Sequence, residues 1–306
     1  MGKRVVSLFD GMSCGLQALK ELGVDVSEYH AFEIDKYAIQ IAKKNHPEII
    51  HHGSVEGFDF TQFKDVDIVM GGSPCQGFSM AGKGLAFDDP RSKLFFEFLR
   101  ALKEIKPKHF LLENVKMKKE HLNTITVHLG VEPVLINSAL VSAQNRQRYY
   151  WCSWKVEQPE DRGILLKDVL ESEVDEKYYL KDNWLKWWDE NKDFQLKKKY
   201  SSLDSDKAIT MTARQYASWN GNFVTDKPVR LGHFNSGGKG GHTGLYKVSE
   251  SYRIRKLTPI ECERLQTLPD NYSEGVSNTQ RYKMLGNGWT VEVIKHLFRE
   301  LYGKRD

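Results

Sequence analysis

The sequence has few cysteines, and none of them are paired. Cys14, Cys75, Cys152 and Cys262 are far apart in 306 residues, and no C-x-x-C pair occurs. A disulfide framework or a cysteine-based zinc site needs closer or paired spacing, so both are excluded. The ten histidines form no H-E-x-x-H or similar pattern. We therefore expect no bound metal, and either buried, inert cysteines or one that does chemistry.

Long hydrophobic runs are also absent. The apolar stretches are far shorter than the roughly 18 residues that span a bilayer, which excludes a transmembrane helix. The first residues are basic and then apolar, but this apolar run is too short for a signal peptide. With only 9 prolines, 24 glycines and 40% hydrophobic residues, the composition is that of a globular protein. We expect a cytoplasmic protein with one large domain, or one large and one small.

A strong excess of charge of either sign is missing as well, since the net charge is only +4. The distribution is uneven. Residues 156–194 carry six basic and twelve acidic side chains, whereas residues 195–248 carry nine basic and three acidic ones. The basic stretch includes Lys197, Lys198 and Lys199. A lysine run is usually a solvated face, but a basic stretch with aromatics and glycines is also typical of nucleic-acid surfaces. Charge alone leaves both interpretations open.

The first 150 residues alternate short apolar runs with helical patterns, which indicates repeated βα units. We predict strands at Arg4–Phe9, Tyr29–Ile34, Val66–Met70, Phe110–Glu113 and Val134–Asn137. We predict helices at Cys14–Leu22, at Lys36–Asn45 with Asp35 as N-cap, and at Leu94–Ile105. This order favours an α/β fold with a mostly parallel sheet that is covered on both faces.

The alternation of predicted strands and helices ends near Trp154. We interpret residues 156–252 as a separate small domain with long loops, including the glycine-rich stretch Gly237–Gly244. A helical pattern returns from Arg255, and another helix follows at Val291–Leu301. The predicted organisation is therefore 1–155, then a small domain at 156–252, then a return to the large domain at 253–306.

Two glycine-containing loops follow predicted strands. Phe9–Gly15 lies between a strand and a helix, where open α/β folds bind cofactors, and Glu33 ends the next strand, placed to bond a ribose diol. By itself this pair is equally compatible with an ordinary tight turn. The second loop, Gly71–Ser79, holds Cys75 after a proline and among glycines. Such a thiol is sterically open, as an attacking thiolate must be, whereas apolar packing would not need these small neighbours.

Two polar motifs also accompany apolar strands. Glu113 comes at the end of an apolar strand, where a carboxyl group can hold or donate a proton, although a strand-end glutamate is often only solvated. In the predicted strand at Gln144–Arg148, alternation places Arg146 and Arg148 on one face. This arginine pair fits either a phosphate or base carbonyl, or a surface ladder of ion pairs.

In this order and spacing, the motifs resemble those of the cytosine-specific DNA methyltransferases that methylate carbon 5. The resemblance covers about residues 4–154 and 253–302, including the late helix Arg255–Leu268 and the closing segment Leu285–Val291. Val141-Ser142-Ala143 and Trp289 are similar to the eukaryotic de novo subgroup, while the compact length is similar to prokaryotic or phage enzymes. The resemblance implies a Rossmann-like S-adenosylmethionine-dependent methyltransferase fold with a smaller target-recognition domain at 156–252.

The resemblance also implies roles for individual residues. Cys75 would attack carbon 6, Glu113 would protonate ring nitrogen 3, Arg148 would bond the base carbonyl, and Arg146 would support the site. S-adenosylmethionine would be the cofactor and methyl donor. Its expected binding residues are Phe9, Asp10, Gly11, Met12, Ser13, Glu33, Ile34, Ser54, Val55, Pro74, Leu94, Asn287, Gly288 and Trp289. The family usually has an aspartate at the adenine amino group, whereas Ser54 supplies only a hydroxyl here.

Double-stranded DNA is the partner that the resemblance implies, and a monomer is favoured. The target base must leave the stacked duplex to be reached. The loop Gln76–Asp89 is the expected lid over it. The expected DNA-binding residues are Gln76, Ser79, Lys197, Lys198, Lys199, Arg214, Arg230 and Lys239.

Two other hypotheses stay open: a tRNA cytosine methyltransferase and an inactive DNA-binding paralogue. The tRNA subgroup usually carries a Cys-Phe-Thr signature that this chain lacks, and inactive paralogues typically lose residues that are present here. The recognised DNA site and the biological role, whether restriction–modification, phage protection or an orphan activity, are not predicted.

Overall fold

The computed structural model describes residues 2–73, 93–181, 190, 201–215, 221–226 and 253–303. Its larger sheet has seven strands. These are β1 (Lys3–Leu8), β2 (Val26–Phe32), β3 (Ile50–His51), β4 (Ile68–Gly72), β5 (His109–Val115), β6 (Val134–Asn137) and β7 (Gln147–Cys152). Their spatial order is β3-β2-β1-β4-β5-β7-β6. The first five pair in parallel, and β7 runs antiparallel to both β5 and β6. The predicted mostly parallel sheet is confirmed.

Seven α-helices have both of their ends within the described residues. They are α1 (Cys14–Glu21), α2 (Lys36–Asn45), α3 (Lys93–Ile105), α4 (Lys119–Leu129), α5 (Pro259–Leu265), α6 (Asn278–Asn287) and α7 (Val291–Tyr302). Short 3₁₀ turns lie at Phe60–Gln62, Ser138–Leu140, Leu166–Asp168 and Glu176–Tyr178. The predicted α2 and β6 have the bounds that the sequence indicated, and Asp35 caps α2 by accepting the Tyr37 N–H at 2.9 Å.

Both faces of the larger sheet are covered. Consecutive strand residues point to opposite faces, and Val5 and Val6 accordingly belong to two different clusters of buried residues. The first cluster contains apolar side chains of α1, α2 and α5–α7, and the second contains those of α3 and α4. This two-sided burial explains why the parallel strands are almost continuously apolar.

A smaller sheet has three strands in the order β10-β9-β8. They are β8 (Ser201–Leu203), β9 (Gly221–Asp226) and β10 (Arg253–Lys256). The start of the predicted late helix is wrong, because Arg255 and Lys256 are paired to β9 as a strand. The helix itself begins at Pro259, where Thr258 and Glu261 form a reciprocal capping box.

The junction between the two sheets is a buried ion pair. The side chains of Arg255 on β10 and Glu261 on α5 are 2% and 0% exposed, with two hydrogen bonds of 2.8 Å between them. The same carboxylate accepts the Thr258 N–H at 2.8 Å. The free-energy cost of burying the Glu261 carboxylate is thus offset by several hydrogen-bond donors. The ion pair fixes how β10 of the smaller sheet leads into α5. In the described part of the chain, no helix is long and apolar enough to cross a membrane.

Candidate active site

A cavity of about 360 Å³ opens at the carboxyl ends of β1, β2, β4 and β5. In this sheet order, the position beside β1 is where chain connections diverge, and open α/β folds bind their ligands there. Eleven of the residues predicted for the site line this cavity. They are Phe9, Asp10, Gly11, Met12, Glu33, Glu113, Arg146, Arg148, Asn287, Gly288 and Trp289. The structure therefore brings together motifs from both ends of the chain.

The loop after β1 has an unusual backbone. Phe9, Gly11 and Ser13 have φ values of 58°, 60° and 63°, in the left-handed region that non-glycine residues rarely adopt. Asp10 stabilises this loop, since its carboxylate accepts hydrogen bonds from the Tyr29 hydroxyl at 2.6 Å and from the Ser13 hydroxyl. Burial raises the pKa of Asp10 to about 6. The loop thus places a carboxyl group with an altered pKa on the cavity wall.

Glu33, directly after β2, holds this loop from the other side. One carboxylate oxygen accepts the Gly11 N–H at 2.8 Å, and the other accepts the N–H groups of Ile34 and Asp35, each at 2.8 Å. A carboxylate has about four acceptor sites, so Glu33 can still accept a bond from a ribose hydroxyl in the cavity. The donors and acceptors here fit S-adenosylmethionine, whose ribose donates to carboxylates and whose sulfonium is cationic.

At the other end of the cavity, Glu113 is 8% exposed and is held by two donors. Arg148 Nε lies 3.0 Å from Glu113 Oε1. Trp289 Nε1 donates to Glu113 Oε2 at 3.1 Å. The carboxyl group therefore has a fixed orientation at the cavity wall.

Arg146 has a different environment although it also reaches the cavity. Its guanidinium donates to the carbonyl oxygens of Met211 at 2.9 Å, Gly286 at 3.1 Å and Gly288 at 2.9 Å. Burial lowers the pKa of Arg146 to about 9, which leaves it charged at neutral pH. Arg146 precedes β7, which begins at Gln147, so the predicted strand start at Gln144 is three residues too early. Its contacts join the segment at Met211 to the end of α6.

Five predicted cofactor residues do not line the cavity. Ser13 belongs to the loop after β1 but is fully buried, and Ile34 is 76% exposed beside Glu33. Ser54 is exposed and its hydroxyl accepts the Glu56 N–H at 3.1 Å, while Val55 is buried in the second cluster. Leu94 is half-buried in the first turn of α3 and packs against the same cluster.

Several predicted residues lie outside the described residues. They are Pro74, Cys75, Gln76, Ser79, Lys197, Lys198, Lys199, Arg230 and Lys239, together with the lid Gln76–Asp89 and the Gly237–Gly244 loop. The start of the cysteine loop is described, and Gly72 and Ser73 line the cavity. Arg214 is described and exposed.

Sequence reasoning missed several residues around the cavity. Lys283 on α6 lies 2.9 Å from the Asp35 carboxylate, and both line the cavity. Asn114, 1% exposed, donates to the Ser73 hydroxyl at 3.0 Å and so holds the start of the cysteine loop. Asn114 belongs to the motif that contains Glu113, and Lys283 lies two residues before the predicted segment Leu285–Val291, which was the available signal. Within the described residues, no group of three metal-ligating side chains is close enough to hold an ion.

Comparison with known proteins identifies the family. The sequence model for C-5 cytosine-specific DNA methylases matches residues 3–303. The chain belongs to this family. It is 33% identical over 300 residues to the Type II methyltransferase M1.ScrFI of Lactococcus lactis subsp. cremoris, covering 88% of this chain and 70% of the relative. It is 30% identical over 316 residues to M.NlaX of Neisseria lactamica, covering 97% and 96%.

A solved structure has a similar fold. The methyltransferase EhMeth of Entamoeba histolytica matches with a TM-score of 0.76 and 18% identity, covering 99% of this chain and 98% of that one. This C-5 cytosine-specific DNA methylase is therefore a DNA (cytosine-5-)-methyltransferase with a Rossmann-like fold, and S-adenosylmethionine is its cofactor. The predicted family, fold, activity and cofactor are confirmed. The similarity to the de novo subgroup stays a prediction.

Proposed function

We propose that this methylase acts on a cytosine that is flipped out of double-stranded DNA, with Glu113 and Arg148 contacting the base and Cys75 as the nucleophile. The observation that carries this assignment is the Glu113 carboxyl group, buried and bracketed by Arg148 and Trp289 at one end of the cavity. The other end presents Asp10 and Glu33, which suit the cofactor. A base that approaches Glu113 thus meets the methyl donor within one continuous cavity.

The chemistry requires activation of the base, because carbon 5 of cytosine is a weak nucleophile. The Cys75 thiolate forms a bond to carbon 6, and electron density moves toward carbon 5 as Glu113 gives a proton to ring nitrogen 3. Arg148 donates to the base carbonyl. When bound, S-adenosylmethionine supplies an electrophilic methyl group, which carbon 5 accepts. A base then removes the carbon 5 proton, the Cys75 bond breaks, and the nitrogen 3 proton returns to Glu113.

Substitution of the two reacting side chains tests this assignment. Cys75→Ser should lose methyl transfer to duplex DNA by several orders of magnitude, because a hydroxyl is far less ionised than a thiol. Glu113→Gln should turn over at least ~100-fold more slowly while it binds DNA and cofactor almost normally. DNA with 5-fluorocytosine should give an adduct that survives denaturing electrophoresis, since fluorine cannot leave as a proton does.

The controls separate chemistry from folding and substrate choice. Equal losses of binding and turnover in Glu113→Gln would assign Glu113 a structural role, and near-normal turnover of Cys75→Ser would refute the mechanism. A tRNA pool in place of duplex DNA tests the alternative substrate. We expect the tRNA to remain unmethylated. Activity on tRNA alone would overturn the proposed DNA substrate.

We further propose that residues 156–252 form the target-recognition domain between the two parts of the catalytic domain, 1–155 and 253–306, in a monomeric cytoplasmic enzyme. The segment that leads to the exposed Arg214 supports this. Its Ala208 exchanges backbone hydrogen bonds with Ala143 and Asn145 at 2.8 Å, and its Met211 N–H is accepted by Gln144 at 2.8 Å. Arg214 is thereby carried on a segment fixed to the catalytic domain. β10 shows that the smaller sheet extends past residue 252.

Binding measurements test the proposed DNA contacts. Changing Lys197, Lys198 and Lys199 to alanine should weaken binding to all duplexes alike and flatten its salt dependence. Arg214→Ala or Arg230→Ala should cost roughly 1–3 kcal/mol against the cognate site and relax discrimination at one base pair. Lys239 is a third candidate, and Gln76 and Ser79 would contact the flipped nucleotide. An unchanged salt slope, or undiminished sequence preference, would place these contacts elsewhere.

A further inference from the structure

Trp289 contacts the catalytic carboxyl group directly, although its expected role was to close the cofactor site. The residue lies between α6 and α7 and is 9% exposed. Its indole N–H donates to Glu113 Oε2 at 3.1 Å, whereas Arg148 holds Oε1 at 3.0 Å. Each carboxyl oxygen therefore has one donor from a different part of the chain. Because the terminal torsion of glutamate is otherwise broad, two such donors restrict the rotation of the carboxyl group.

The space for this contact depends on glycine at position 72. A Cβ atom added to Gly72 would lie 2.8 Å from Trp289 Nε1 and 2.9 Å from Glu113 Oε2. Both distances are shorter than real Cβ contacts, so a larger residue at position 72 would displace the indole, the carboxyl group or both. An added Cβ at Gly15 would meet Met70 first, at 2.4 Å from its Cε, and would lie 3.3 Å from Trp289 Cζ3. Gly72 is therefore the position that leaves room for the indole beside Glu113.

The type of donor suits a group that must carry a proton. An indole nitrogen only donates, so it cannot take the proton that Glu113 passes to the base. Each oxygen of a carboxylate has about two acceptor sites. The bonds to Trp289 and Arg148 therefore leave room on Glu113 for the proton and for the base.

We propose that Trp289 is a positioning residue for the chemical step, which fixes the rotation of the Glu113 carboxyl group through its indole N–H. This inference rests on the role assigned to Glu113 under the proposed function. Trp289 also lines the cofactor cavity, so its effect on methyl transfer must be separated from any effect on cofactor affinity.

The decisive variant replaces Trp289 with 3-benzothienylalanine, which keeps the ring shape and substitutes sulfur for the N–H group. Trp289→Phe is the simpler companion. Each should lower kcat by about tenfold or more, the size expected when one hydrogen bond to a charged group is lost, whereas the Kd for S-adenosylmethionine changes less than about twofold. Trp154→Phe is the matched control, because its indole donates to the Leu297 carbonyl at 3.0 Å away from the cavity. Its kcat should equal that of the unmodified enzyme.

A double variant tests whether Trp289 acts through Glu113. With Glu113→Gln already present, adding Trp289→Phe should change kcat by less than about twofold, because the group being positioned no longer transfers a proton. If the losses in kcat from the two substitutions multiplied, the positioning role of Trp289 would be refuted. It would also be refuted if the benzothienyl variant had normal kcat while Glu113→Gln was slow. If Glu113→Gln itself kept normal kcat, the proposed role of Glu113 would fail first, and the role of Trp289 with it.

Discussion

A buried histidine should make the stability of the fold fall at acid pH. His46 is 2% exposed at the end of α2. The Lys20 ammonium, which can only donate, lies 3.0 Å from His46 Nδ1, so that nitrogen accepts and Nε2 carries the proton. His46 Nε2 then donates to the Tyr272 hydroxyl at 3.0 Å, which donates to the Met12 carbonyl at 2.8 Å. The neutral imidazole is therefore the form that this chain of hydrogen bonds needs.

The size of the effect follows from the pKa. Burial, and then the nearby Lys20 charge, lower the pKa of His46 from 6.5 to about 4. The unfolded chain takes up a proton near pH 6.5, while the folded chain resists it down to about pH 4. The stabilisation is complete above pH 6.5 and is lost as the pH falls to about 4. The full difference corresponds to about 3 kcal/mol in the free energy of unfolding.

Ionisation of Asp10 changes the free energy of unfolding with the opposite sign over nearly the same pH range. The pH dependence of the unmodified protein therefore does not isolate the effect of His46. We would compare it with His46→Gln, whose amide can accept from Lys20 and donate to Tyr272 but does not titrate. Urea unfolding at about pH 7.5 and about pH 4.5 should show the stability advantage of histidine shrinking by about 2 to 3 kcal/mol. A difference in the free energy of unfolding between the two proteins that stays constant over this pH range would contradict the predicted effect of His46.

The same chain of bonds reaches the loop after β1, where Met12 lines the cavity. Tyr272→Phe removes the bond to the Met12 carbonyl together with the bond from His46 Nε2, and it leaves the ring in place. We expect its Kd for S-adenosylmethionine to rise about three- to tenfold, the effect of losing the one neutral hydrogen bond that reaches Met12. Unchanged cofactor affinity would show that the loop is held without Tyr272.

Two further substitutions test the cavity wall and the contact behind it. Burial raises the pKa of Asp10 from 3.8 to about 6, so ionisation of Asp10 should lower the free energy of unfolding as the pH rises through 6. Asp10→Asn should remove this cost. In urea unfolding, the variant should gain about 2 to 3 kcal/mol relative to the unmodified protein between about pH 4 and pH 7. Gly286→Ala should cost about 3 kcal/mol or more, because its Cβ would lie 2.1 Å from the Thr212 carbonyl carbon. A thermal unfolding midpoint unaffected by Gly286→Ala would contradict this close packing.

The sequence predicted best the elements that local signals define. The helix Lys36–Asn45 has an N-cap at Asp35 and a proline at position 47, and its bounds agree with the structure. The apolar run Val134–Asn137 likewise became β6. Caps, breakers and hydrophobic runs act within a few residues, so one sequence suffices to detect them.

The contacts that complete the site act over long distances in the sequence. The bond between Trp289 and Glu113 joins residues 176 positions apart, and that between Tyr272 and Met12 joins residues 260 apart. No local pattern encodes such partners. The strand Arg253–Lys256 was missed because its four alternating residues precede a strong helix signal, and only pairing with β9 makes them a strand.

The cavity is lined from both ends of the chain, since Met12 and Gly288 both belong to its wall and lie next to each other. At about 5–20 residues per second, the ribosome adds Gly288 roughly 15 to 55 s after Met12. During that time the nascent chain has no complete place for the cofactor, even if its first strands have already folded. A complete cavity therefore arises only late in translation, and a chain that stops growing between residues 156 and 252 still lacks Gly288.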